Sequence, residues 1–325
     1  MKLFAGIDAG SQTFGYAILD KGLRITALRE FTSYYVQRNP KELINEVLKY
    51  KPISIALPSG HGICGKDFNS LSQEDLAFSL IANPNAEGPL RNFLRLAKLY
   101  KHLNVLTIPS VIQLKSIPKY RKYNKIDMGT SDKVASAIAV IHYVSSSLRI
   151  EPKEVNAILL ELGSYFSSIL VIKNGKIVNS YSGTSGLKGF MCPGPIDGEV
   201  AYLFSKYYKI TKKTIYEKGK IDEGEWMKAL KEDIMEKLTN YRDSLIVATG
   251  RNKDFALELG LKDVIFYPYE KASAIGAAII ASSQFLSSTS WVKDVIECEG
   301  RPIDYVMLEG WEEVIKGFES SVSIQ

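Results

Sequence analysis

One pattern occurs twice in this chain of 325 residues, and it limits the possible folds more than any other feature. The first copy spans residues 2–31. An apolar run reaches Asp8, a small-residue turn follows (Ala9-Gly10-Ser11), and a second apolar run and a third are separated by Asp20-Lys21-Gly22. The second copy begins at Val155. An apolar run reaches Glu161, Gly163-Ser164 follows, then Ser167 to Ile172, an Asn174-Gly175 turn, and Ile177-Val178. Each copy reads strand, acid, glycine, strand, turn, strand. Short apolar runs separated by turn residues predict antiparallel strands, and Asn-Gly is the preferred hairpin turn. A long-period internal repeat implies two similar units.

The first unit continues with Pro40 opening a helix that places Leu43, Ile44, Val47 and Leu48 on one face. Ile53–Leu57 is then a short buried strand, a parallel candidate because a helix precedes it. The order so far is β-β-β-α-β. A glycine-rich loop follows, Ser59-Gly60-His61-Gly62 through Gly65, at the end of a strand where α/β sheets hold ligands. An ordinary loop is the competing reading. Residues 66–88 are polar and read as an insertion, within about 58–89. A helix over 89–101 and a strand at 105–108 complete the unit.

Two helices are rich in small residues: 131–147, with Ala135, Ser136, Ala137 and Ala139, and 270–282, with Ser273, Ala274 and Gly276. Such faces suit a tightly packed core or a hinge between domains. Between them lies a Gly- and Pro-rich stretch, Ser182 to Glu199, carrying Lys188, Gly194, Asp197 and Glu199. Charged helix is expected over 211–240, a strand at Leu245–Thr249 entering Gly250-Arg251, and another at 264–266. Residues 286–325 read as an appendage with helix near 311–318.

Cys64, Cys192 and Cys298 lie far apart. They predict neither a disulfide framework nor a cysteine-based zinc site, and a reducing cytoplasm is the expected compartment. No apolar run has transmembrane length, and the N-terminus reaches an acid too early for a signal peptide. The net charge of +5 suits small anions without demanding nucleic acid. The basic cluster Lys115–Lys125 interleaves tyrosines; a solvated loop is its ordinary reading and nucleic-acid contact the sharper one.

This arrangement resembles the actin, hexokinase and acetate kinase superfamily, which places ATP between two β-β-β-α-β-α-β-α domains. Gly6-Ile-Asp8-Ala-Gly10-Ser11 looks like its first phosphate loop, and Asp132 to Ala139 like its first connecting helix. Glu161-Leu-Gly163-Ser164 looks like the second phosphate loop, Ala248-Thr249-Gly250 like the adenosine motif, and Ala272 to Ala278 like the second connecting helix. The implied fold class is α/β, two actin-like ATPase domains (ribonuclease H-like) of residues 1–148 and 149–325 around a cleft. Acetate and butyrate kinases look nearest, and the whole chain resembles an archaeal group labelled predicted butyrate kinases. It departs from the acyl kinases at Glu161, where they carry His, at Ser164-Tyr165-Phe166, where they carry glycines, and at Arg251, where the adenosine motif has a second glycine.

The resemblance implies an ATP-dependent small-molecule kinase with Mg²⁺, acting on a short-chain carboxylate. It assigns the metal to Asp8 and Glu161, and nucleotide contacts to Gly6, Gly10, Ser11, Gln12, Thr13, Gly163, Ser164, Thr249, Gly250 and Arg251. Catalytic candidates are Asp8, Asp132, Lys188, Asp197 and Glu199. Substrate candidates are Ser59, Gly60, His61, Gly62 and Gly194, although a structural role for His61 is an equal alternative. A carboxylate acceptor needs no base; an alcohol or sugar acceptor would use Asp132 or Asp197. A homodimer is implied by the same resemblance. A nucleotide-binding switch or a scaffold without catalysis is the other class open to this sequence.

Overall fold

The computed structural model describes residues 2–82, 88–98, 103–192, 196–217, 222–241 and 244–323. In the first half, β1 (Phe4–Ala9), β2 (Thr13–Leu19) and β3 (Ile25–Thr32) form the expected meander. Then come α1 (Ser33–Arg38), α2 (Pro40–Leu48), β4 (Ser54–Leu57), α3 (Gln73–Leu80), α4 (Pro89–Ala97), β5 (Val105–Thr107), α5 (Lys119–Lys122) and α6 (Ser131–Leu148). The second half runs β6 (Ala157–Leu162), β7 (Ser167–Lys173), β8 (Lys176–Tyr181), α7 (Gly198–Ser205), α8 (Lys212–Glu217) and α9 (Glu223–Leu238). It closes with β9 (Leu245–Thr249), β10 (Val264–Phe266), α10 (Ala272–Ser282), α11 (Val292–Val295) and α12 (Trp311–Ser323).

The two sheets have the same strand order, β3-β2-β1-β4-β5 and β8-β7-β6-β9-β10. In each, the first strand pairs antiparallel with the second and parallel with the fourth. Asp8 and Glu161 both occupy the penultimate position of the first strand. The Asn174-Gly175 turn has positive φ at both residues, 49° and 68°, which β-branched residues resist and this pair accepts.

Both small-residue helices are core. Every residue of α10 is buried, and α10 lies across β1, β2 and β4 of the first sheet and against α6. A methyl group at Gly276 would fall 1.7 Å from the Ala135 carbonyl oxygen. The glycine is therefore required for the helices to cross at this distance. Gly6 serves the same contact, because a methyl there would meet Ala278 N at 2.1 Å. It packs β1 beneath α10 and does not line the cleft between the two halves.

Several expectations change. The polar segment 66–88 contains α3, which opens on a reciprocal Ser72–Asp75 capping box and buries Leu76, Ala77 and Phe78. Its sparse apolar pattern hid a helix that tertiary contacts hold. The helix expected over 89–101 is α4, ending at Ala97, with 99–102 outside the described residues. Short α1 was not expected; Thr32 caps it and Val36 is buried. In the basic cluster, Lys122 is buried, donates to Leu114 O at 2.9 Å and lies over the Tyr305 ring. Lys115 pairs with Glu297. Lys122 thus serves packing of the appendage, whereas Lys115, Tyr120 and Tyr123 stay exposed as the solvated reading expects.

The absence of a disulfide is corrected outright. Cys64 and Cys298 are bridged across 234 positions, with Cα atoms 5.7 Å apart. Sequence distance cannot show this juxtaposition, because the appendage folds back. Lys115 N donates to Glu297 O and Glu299 N to Gln113 O, both at 2.9 Å, so residues 297–299 run antiparallel to 113–115. Arg301 then engages Glu74 and Glu319 and covers the Phe78 ring, and Phe78 packs on Phe318 at 5.0 Å. No described helix is long and apolar enough to cross a membrane.

Candidate active site

The C-terminal ends of the central strands of both sheets open on one cleft of about 430 Å³. Its walls are the β1–β2 loop, the β6–β7 loop, the turn after β9 and the N-termini of α6 and α10. The two hairpin loops are built alike. Gly10 N donates to Thr13 O at 2.9 Å, and Gly163 N donates to Phe166 O at 3.1 Å. Ser33 anchors the first loop through Gln12 O and Gly10 O. Asn252 anchors the second, its backbone N–H on Leu162 O and its side chain on Gly163 O, both at 2.9 Å. Close backbone at Gly250, where a methyl would meet Leu162 O at 2.4 Å, seats the β9 turn on that loop.

Two lysines organise the charge. Lys271 donates to Thr13 Oγ1 at 2.7 Å and Asp8 Oδ2 at 3.3 Å, and lies 3.3 Å from Glu30 Oε2. Arg251 also pairs with Glu30. Lys133 sits between Glu161 Oε1 at 2.6 Å and Asp132 Oδ2 at 3.0 Å. An ammonium has three donors, so these contacts leave Lys133 one N–H for a ligand.

The environment splits the acids. Burial pushes Asp8 above the usual carboxylate range, and Lys271 only partly opposes it. Burial also raises Glu161, against the attraction of Lys133. The Ser136 hydroxyl and Lys133 both act on the Glu161 carboxylate, yet among the described residues its buried Oε2 has no partner at full hydrogen-bond geometry. Asp132 is desolvated too, but Lys133 and the Thr130 hydroxyl overcome burial and hold it below its ordinary value. Burial and then two carboxylates act in opposite senses on Lys133; the carboxylates win and its pKa is raised. Burial lowers His61, which is therefore neutral at pH 7.

Of the expected residues, Asp8, Gly10, Ser11, Gln12, Thr13, His61, Asp132, Glu161, Gly163, Ser164, Gly250 and Arg251 line the cleft. Others do not. Asp197 caps α7 by accepting from Glu199 N and Val200 N, and both Asp197 and Glu199 are exposed away from the walls. Lys188 is held by its backbone N–H on Asp233 and does not line the cleft. Thr249 is buried beside Glu161, its cross-strand neighbour. Ser59 is structural: its hydroxyl donates to Ile108 O and its N–H to Ser131 Oγ. Gly62 is pressed against Ser110 and Gln113. Gly194 lies outside the described residues.

Sequence reasoning missed Lys133, Lys271, Glu30 and Asp127 as cleft residues. The signal available for the lysines was their place at the start of the two small-residue helices, Lys133 in the first turn of α6 and Lys271 at the N-cap of α10. Nothing local marked Glu30, which reaches the site from β3.

The solved acetate kinase of Porphyromonas gingivalis superposes with a TM-score of 0.58 at 13% identity, covering 85% of this chain and 98% of that one. A propionate kinase from Francisella tularensis gives 0.57 at 12% identity, covering 86% and 99%. Acetate kinase from Entamoeba histolytica gives 0.53 at 13%, covering 80% and 85%. At such identities the likeness establishes the fold, two actin-like ATPase domains. No curated protein matches the sequence. A family model described as "Protein of unknown function (DUF1464)" matches residues 6–308.

Proposed function

The chain belongs to that DUF1464 family, a family without an assigned function, and from its cleft we propose an ATP-dependent small-molecule kinase whose acceptor is a carboxylate. The observation that carries the reading is the pair of equivalent hairpin loops facing each other across a cleft that contains Asp8, Asp132, Glu161, Lys133 and Lys271. Phosphoryl transfer needs positioning and charge neutralisation more than covalent chemistry. The Gly10–Thr13 and Gly163–Phe166 loops offer backbone and hydroxyl donors to phosphates. Gly250 and Arg251, the latter paired with Glu30 of β3, would hold the adenosine.

The fold family implies Mg²⁺. Mg²⁺ keeps several waters and uses one or two carboxylates together with substrate phosphates. Asp8 and Glu161 fit that role: burial disfavours their charge, and Glu161 Oε2 is buried without a well-formed hydrogen bond among the described residues, so a nearby cation would relieve both. Such an ion would arrive with the nucleotide, its remaining ligands being phosphates and waters. When bound, it would neutralise phosphate charge. Lys133 would orient the acceptor carboxylate through its remaining N–H, and the carboxylate oxygen is already a nucleophile.

A second reading rests on Asp132. It stays ionised beside the cleft, so it could take a proton from an alcohol acceptor. The two readings part in one assay. The protein is incubated with ATP, Mg²⁺ and panels of carboxylates or alcohols, with hydroxylamine to trap acyl phosphates. Hydroxamate formed with ADP supports the carboxylate reading. ADP released only with alcohols moves the assignment to Asp132 as base. Calorimetric titration showing no ATP binding, in wild type as in Asp8→Ala, rejects both.

A further inference from the structure

Beside the cleft lies a second chamber of about 310 Å³. Ser11, Thr130 and Asp132 belong to the walls of both, so the two spaces meet there. Away from this mouth the lining is mainly apolar: Phe14, Pro58, Gly60, Pro89 and Leu90, with Ser131 whose hydroxyl accepts from Ser59 N. Its walls come from elements that pack on one another. Phe14 of β2 meets Phe93 of α4 edge-on at 6.0 Å, and Pro89 and Leu90 open α4. Gly60 has φ +62°, and a methyl group there would meet Ser79 O at 2.7 Å, so only the bare backbone passes at this point. Among the described residues, Asp132 is the one charged side chain that lines the space.

A sugar placed here would leave hydroxyls without partners, at the cost of their desolvation. An apolar body would not. An apolar cavity of roughly 150 Å³ accommodates benzene, so this one has room for on the order of ten carbons. Acetate would leave most of it empty.

We propose that this chamber receives the apolar body of the acceptor, and that the acceptor is a monocarboxylic acid bearing an aromatic ring or a medium-length chain. This rests on the phosphotransfer reading above. The carboxylate end passes the mouth into the cleft toward Lys133, whose ammonium also neutralises Asp132, and faces the phosphate loops; the tail lies against Leu90 and Phe14. Specificity then belongs to Leu90 and Pro58, and the length of the tail to the depth of the chamber.

Binding and turnover are measured separately. Acetate, butyrate, hexanoate, phenylacetate and glucose are titrated by calorimetry into protein saturated with a non-hydrolysable ATP analogue and Mg²⁺. The same compounds are then assayed for ADP release. Each buried methylene contributes about fourfold in affinity, so hexanoate should bind at least tens of times more tightly than acetate. Leu90→Trp, checked for an unchanged melting transition, should erase this preference. Leu90→Ala should move the optimum to longer tails, and it tests the same wall if the larger side chain prevents folding. Acetate or glucose binding as tightly as hexanoate overturns the chamber assignment and leaves phosphotransfer standing. Absence of acid binding overturns it too. Preferential binding of hexanoate and phenylacetate without any ADP release sinks the phosphotransfer reading alone.

Discussion

Asp8 and Lys133 show how single residues trade stability for chemistry in this cleft. Asp8 is buried and raised, so its charge is held at a cost. Asp8→Asn should therefore leave the melting temperature unchanged or higher, while weakening ATP at least tenfold. The sign follows from linkage. A folded-state pKa above the unfolded value means the folded state keeps its proton longer, and stability from this group falls as pH rises through that window. The variant should lack this slope in denaturant titrations carried upward from about pH 4, the unfolded carboxylate value. A melting temperature several degrees lower would contradict the account. Lys133→Met should act in the opposite direction. It leaves Asp132 and Glu161 buried without their cation, and breaking such a pair costs roughly 3–5 kcal/mol. Protonation relieves the unpaired acids, so the loss should be largest at pH 7 and should shrink toward pH 4. Equal losses at both values would mean that packing of the lysine stem is what matters.

At the scale of elements, α6 and α10 decide the geometry of the site. Their first turns carry Asp132, Lys133 and Ser273, with Lys271 at the N-cap of α10, and their bodies cross at Gly276 and Ala135. A methyl at Gly276 falls on a backbone oxygen, which has no rotamer to escape through. Gly276→Ala should cost about 1–3 kcal/mol or more by overpacking. It should also weaken nucleotide binding, because the helices carry the two lysine clusters apart. Chemical denaturation and ATP titration of one sample test both. Lost stability with full affinity would show that the crossing and the site are independent. The repeated Gly10–Thr13 and Gly163–Phe166 hydrogen bonds express the internal repeat at atomic detail.

At the scale of the molecule, residues 286–323 fold back on the first half, and the Cys64–Cys298 bridge holds them three positions from His61. Closing a loop of 234 positions removes much freedom from the unfolded chain, up to roughly 5 kcal/mol in the entropic model. Dithiothreitol should lower the melting temperature by several degrees, and the Cys64→Ser, Cys298→Ser double variant should melt at that lower temperature with or without reductant. Identical melting of oxidised, reduced and double-variant protein would rule out a stabilising bridge. Cys192 lies buried in the second half, outside this pair.

The sequence by itself determined the strands, the two equivalent hairpins and the small-residue helices. These are local properties: alternation, turn chemistry at Asn174-Gly175 and the spacing of alanines all act over a few residues. The acids at the strand ends were legible for the same reason, since Asp8 and Glu161 stand at matching points of a repeat. What only the tertiary structure decided is which side chains meet. Glu30 enters the site from β3, Lys133 reaches Glu161 in the second half of the chain as well as its neighbour Asp132, and Lys271 reaches Asp8 and Glu30 in the first half. Gly6 and Ser59 proved to be supports because a helix and a loop far along the chain press on them. Asp197 and Glu199 left the site because α7 turns them to solvent. The disulfide was invisible for the plainest reason: it joins residues that only the returning appendage brings together.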